Sequence, residues 1–117
     1  MTVIHDFPRS IRLNKPSEYS SVFAFRRVIR AGHFSVFAKP NHSVGKLGIT
    51  ISKRVANRAV DRNYMKRVVR EIYRLNKSSF NGFDWVVQVK TIFHKDTFES
   101  IQRELLVAVE QMCTRKN

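Results

Sequence analysis

Acidic side chains are scarce in this chain. Against 22 Lys and Arg, its 117 residues contain only 9 Asp and Glu, a formal net charge of +13. A surplus of that size repels itself unless an anionic partner absorbs it. Cysteine is nearly missing: Cys113 is alone, so an internal disulfide is impossible and zinc-finger spacing is absent. It is expected to be a half-buried helix residue and not a nucleophile. Glycine and proline number 4 and 3, too few for long flexible linkers. No apolar run approaches the ~18–20 residues of a membrane span. The segment 1–11 places Asp6, Pro8 and Arg9 where a signal peptide needs its apolar stretch. These features predict a cytoplasmic protein with no membrane attachment.

What is present suffices for one core. Hydrophobic residues make up 43% and aromatics 11%, far above a disordered basic tail, and the length is that of one domain. The expected arrangement is a single domain over 1–117, with 1–13 as an extended N-terminal arm. Pro16 suits a first helical turn, and Tyr19, Val22 and Phe23 then repeat at helical steps as far as Phe25 or Arg26. Strand signals follow at Val28–Ala31, Phe34–Lys39 and Lys46–Ser52, with Asn41–Gly45 reading as a hairpin connection between the last two. A long helix is expected from about Arg58 to Leu75, broken by residues 76–82. A mostly buried strand, Phe83–Lys90, comes next. The last helix is expected from about Asp96 to Met112, with Phe98, Ile101, Leu105, Val109 and Met112 inward. The order α-β-β-β-α-β-α predicts an α+β sandwich with a sheet of about four strands.

The long helix carries the functional signal. Arg58, Arg62, Lys66, Arg70 and Arg74 follow one another at four-residue steps, and Lys53, Arg54 and Arg67 extend the cluster. Met65, Val68, Ile72 and Leu75 are expected on the opposite, core-facing side. Solvated surface helices usually mix Glu with Lys to gain pairs at i,i+4; stacking like charges there destabilises the free protein. A nucleic-acid phosphate backbone resolves that conflict, and Arg forks suit it. Charge alone does not separate RNA from DNA. Tyr19, Phe23 and Phe37 supply rings that can stack on unpaired bases, which favours RNA moderately, although any one such ring is more often core than platform. Enzymatic equipment is missing from the residues themselves. His5, His33, His42 and His94 are scattered, and only Asp61 and Glu71 lie in the basic region, whereas two-metal hydrolysis needs converging carboxylates.

The segment Ile51–Glu71, and above all Ser52-Lys53-Arg54 followed by Arg62-Asn63-Tyr64-Met65-Lys66-Arg67-Val68-Val69-Arg70-Glu71, resembles the signature of the bacterial ribonuclease P protein component. Phe7-Pro8-Arg9, Arg12-Leu13, Pro16-Ser17 with Tyr19 and Phe23, and Asp84–Val87 resemble further family features in order. One position departs: Tyr64 stands where the family motif has a third cation, so that contact is not carried over. The resemblance implies a four-stranded sheet with a left-handed βαβ crossover. It implies the accessory subunit of a ribonucleoprotein endoribonuclease that removes the 5′ leader of precursor tRNA, with the catalytic centre and its Mg2+ ions held mainly by the RNA subunit and substrate. Its partners would be that RNA and the leader, with no obligate protein partner. Tyr19, Phe23 and Phe37 would line the leader cleft; Lys53, Arg54, Arg58, Arg62, Asn63, Lys66, Arg67, Arg70 and Arg74 would contact RNA. The competing class is a non-enzymatic ribosome-associated or RNA-chaperone protein, for which the same basic helix would serve.

Overall fold

A computed structural model describes residues 12–13, 15–41, 45–93 and 98–114. Phe7-Pro8-Arg9, His94 and the expected start of the last helix at Asp96 lie outside the described residues. Helix α1 spans Pro16–Ala24, opened by Pro16 and by the Glu18 carboxylate, which accepts a hydrogen bond from the Lys15 amide. It stops where Arg26 turns left-handed (φ 63°), a helix-ending conformation that glycine usually supplies. Strands β1 (Val28–Ala31) and β2 (Phe34–Pro40) form a hairpin about Gly32-His33, with Gly32 at positive φ. Strand β3 is Leu47–Ile51, helix α2 Ala59–Leu75, strand β4 Phe83–Val89 and helix α4 Phe98–Thr114. Between α2 and β4, the segment read as a break winds into a short helix, α3 (Lys77–Phe80), whose Phe80 is buried. Its polar serines hid a single turn that tertiary packing stabilises.

The sheet order is β1-β2-β4-β3. The expected β2–β3 hairpin is therefore wrong: β4 inserts between them, antiparallel to β2 and parallel to β3. Alternation along a strand says which residues share a face, but not which strand lies alongside. The unit β3–α2–β4 is a parallel crossover within an α+β fold. The arm adds one further pairing beside β3, where the Leu13 amide donates to the Leu47 carbonyl at 3.0 Å.

The two faces of the sheet differ. Toward α2 and α4 lies the main core, with Phe34, Val36, Ala38, Trp85, Val87 and Val89 from the strands meeting Met65, Val69, Ile72, Ile101, Leu105 and Met112. Trp85 is fully buried, and its indole N–H donates to the Phe80 carbonyl at 2.7 Å, which removes the cost of burying that donor. Toward α1 lies a small cluster of Leu13, Val22 and Val86, flanked by the half-buried Tyr19, Phe23 and Phe37. Leu75, expected in the core, is 52% exposed. Val69 and Tyr73 fill the α2 face instead, and the Tyr73 hydroxyl donates to the Gly45 carbonyl at 3.2 Å.

Candidate nucleic-acid interface

Cross-strand register lays out the α1 face in rows. Val28, Phe37, Val86 and Gly48 are register partners across the four strands, and so are Arg30, Ser35, Gln88 and Thr50. Partners opposite one another share a face. Helix α1 sits over the first row: the Phe23 and Phe37 rings meet edge-on with centroids 4.8 Å apart. Tyr19 lies over Gly48, where an added Cβ would come 2.6 Å from the ring. Glycine in a strand interior weakens the strand but permits such an approach. Gly48 is a site residue the sequence reading passed over, and its place inside a β-rich run was the available signal. The polar second row ends at a groove of about 610 Å³ whose lining mixes Thr50, Ser52, Arg54, Gln88 and Lys90 with apolar Ile51, Val55 and Val89. Half-exposed rings and polar side chains leading to cations thus share one face of the sheet.

The basic helix departs from the expected stripe opposite the core. Each four-residue step advances about 40° beyond a full turn, so Arg62, Lys66 and Arg70 run obliquely along one edge of the buried face, all half-buried. Arg62 is turned inward, its guanidinium donating to the Ala56 carbonyl at 2.8 Å and tying the loop to the helix. That loop is itself wound tightly, with the Val55 and Ala56 amides donating to the Ser52 carbonyl. Arg58 precedes the helix with its guanidinium 3.9 Å from Asp61, and Arg74 is held by Glu71. Hydrogen bonding from Arg74 pushes the Glu71 pKa down. Lys53, Arg54, Asn63 and Arg67 are exposed.

Lys66 and Arg70 instead reach the cleft. A recess of about 130 Å³ is lined by both, by Arg12 and Leu13 of the arm, by Tyr19 of α1 and by Leu47 and Ile49 of β3. Burial first, and then the charge of Arg12, push the Arg70 pKa below its ordinary value, while Tyr19 acts the other way. An arginine remains protonated even so, so the recess concentrates positive charge where the cleft and the basic helix join. Arg12 was missing from the candidate residues, because nothing local places an arm residue against a helix almost sixty positions later. Lys90, Thr50 and Gln88 were missed for a related reason: only the β3–β4 register brings them together.

Among the described residues, no three His, Cys, Asp or Glu side chains are placed to hold a metal ion. The acids among the described residues do not fit a protein-held Mg2+ centre. His33 is committed elsewhere, with its Nδ1 2.8 Å from Glu104. Cys113 is exposed, not half-buried as expected, although its Sγ lies 3.6 Å from the Ser79 carbonyl and burial raises the thiol pKa. No described helix is long and apolar enough to cross a membrane.

Comparison with known proteins accounts for the arrangement. The Ribonuclease P family model matches residues 7–113. The ribonuclease P protein component of Chromobacterium violaceum is 46% identical over 91 residues, covering 77% of this chain and 75% of that one. Its counterpart from Ralstonia pickettii is 36% identical and covers 96% and 85%. Among solved structures, the RNase P protein from Thermotoga maritima superposes with a TM-score of 0.77 at 28% identity, covering 86% of this chain and 96% of that one. The RNase P protein of Staphylococcus aureus superposes with a TM-score of 0.76 at 25% identity, covering 92% and 98%. Motif, fold and relatives agree, and the chain belongs to the family of ribonuclease P protein components.

Proposed function

We propose that this chain, in the cytoplasm, binds the RNA subunit of ribonuclease P through loop 52–58 and α2 and holds the 5′ leader of precursor tRNA in the α1 cleft. The observation that carries this reading is the recess in which Arg12, Tyr19, Lys66 and Arg70 meet, since it makes the aromatic cleft and the basic helix one continuous surface. Exposed Lys53, Arg54, Asn63 and Arg67 offer donors to the RNA subunit. Lys66 and Arg70 neutralise phosphates passing between the two regions. Tyr19, Phe23 and Phe37 stack on leader bases, a contact that tolerates many sequences. Arg58, Arg62 and Arg74 shape the surface through Asp61, Ala56 and Glu71 as well as adding charge.

Bond cleavage in this reading uses Mg2+ held mainly by the RNA subunit and the substrate. The protein's share is positional: it lowers the electrostatic cost of bringing two polyanions together. Reconstitution with a ribonuclease P RNA and a precursor tRNA at low Mg2+ tests it. The chain should stimulate cleavage strongly while RNA-free protein cleaves nothing. Arg70→Ala should weaken RNA-subunit binding by ~1 kcal/mol or more and flatten its salt dependence. Cleavage by protein alone, or equal binding to bulk ribosomal RNA, would instead favour a nuclease or a general RNA chaperone.

A further inference from the structure

The flank of α2 facing away from the recess carries a different chemistry. Tyr64 is 36% exposed, and Val60, one turn before it, is 58% exposed. The inner side of the Tyr64 ring is backed by Phe93, with centroids 6.5 Å apart at 58°. Phe93 is buried and in turn meets Phe34 at 5.6 Å and His33 at 5.7 Å. The tyrosine therefore rests against the edge of a cluster of rings and remains about one-third exposed. Asn63 and Arg67 stand exposed beside it. Glu71, the acid on the same side two turns on, is engaged by Arg74, which offsets the negative charge that would repel a phosphate.

We propose that Tyr64 is a stacking platform for an unpaired base of the partner RNA, with Arg67 on the adjoining phosphate and Asn63 available to the base edge. This rests on the reading of α2 as an RNA-contacting helix. A ring already in contact with a neighbour on its inner side has less freedom to lose when a base stacks on it, so the ordering cost of the contact is reduced. It also gives the position left open by the family motif a role that differs in kind: a π face where the motif has a cation.

The test uses the full chain and a ribonuclease P RNA transcript, with affinity measured across a salt series and the Tm of each variant recorded alongside. Tyr64→Phe should bind within about twofold of the parent, and Tyr64→Leu about tenfold more weakly. Tyr64→Arg should recover affinity at low salt with a salt slope steeper by about one. Wild-type affinity for Tyr64→Leu would overturn the proposal, as would an equal loss for Tyr64→Phe. Should Tyr64→Leu melt early, Tyr64→Trp decides: the exposed indole should be quenched by RNA beyond any change at buried Trp85, and no added quenching refutes stacking. Arg70→Ala separates the two levels. If it too leaves RNA binding intact, the reading of α2 itself fails. If only Tyr64→Leu is silent, this inference alone fails.

Discussion

One sheet serves two opposite purposes on its two faces. On the α2–α4 side, Trp85, Val87 and Val89 alternate into a dry core completed by Ile72, Leu105 and Met112. On the α1 side, the intervening Val86 clusters with the buried Leu13 and Val22 among the described residues, and Tyr19, Phe23 and Phe37 remain half-buried around it. The same period-two alternation that stabilises one face thus leaves apolar rings partly wet on the other. A thick core tolerates little change. A thin one beside a recess of cations is where the proposed leader contact lies.

The largest break in that contrast comes from Ile72→Asp. It puts a carboxylate into a fully buried position of the main core and should unfold the domain, or cost at least ~4 kcal/mol. An unchanged Tm would show the inner face of α2 to be misplaced. A smaller effect, confined to the other side, is expected from Gly48→Ala. The new methyl must displace the Tyr19 ring, so binding of a long-leader precursor should weaken by ~1 kcal/mol while affinity for the RNA subunit holds. Equal losses in both assays would mean that Tyr19 is structural.

The smallest effect belongs to neither face. The side chains of Glu71 and Arg74 are 42% and 34% exposed, so Glu71→Gln should cost under about 0.5 kcal/mol. Because Glu71 has a lowered folded-state pKa, its contribution is present above the ordinary carboxylate pKa. It disappears as pH falls through the lower folded value. Comparing parent and Glu71→Gln by thermal melts across acid pH checks the sign: the gap should close on acidification, and a widening gap would reverse it.

Much of this was legible before the structure. The limits of α2 fell within a residue of expectation, since Met65, Val68 and Ile72 repeat at helical spacing and Asn76 ends the helix. Strands β1 to β4 were equally plain from β-rich runs between breakers. Strand adjacency was not legible, because alternation carries no information about neighbours; the crossover and its hand came from the family motif alone. At the candidate site, the internal commitments of the cations were not legible. Arg62 looked like a free cation, but its guanidinium has an internal partner in the loop just before the helix. Arg12, seen only as part of the arm, and Gly48, seen only as part of a strand, were left out of the candidate residues because what matters at each is what folds against it.

The most direct test of the central contrast is Phe23→Leu in the assembled holoenzyme, measured with two precursors. Leucine keeps apolar bulk against Phe37 but removes the π face. A precursor with a long leader should lose affinity by ~1–3 kcal/mol, while one with a single-nucleotide leader loses almost nothing and the Tm stays near that of the parent. Equal losses for both precursors, or a large fall in Tm, would make the α1 face a second core and contradict the account.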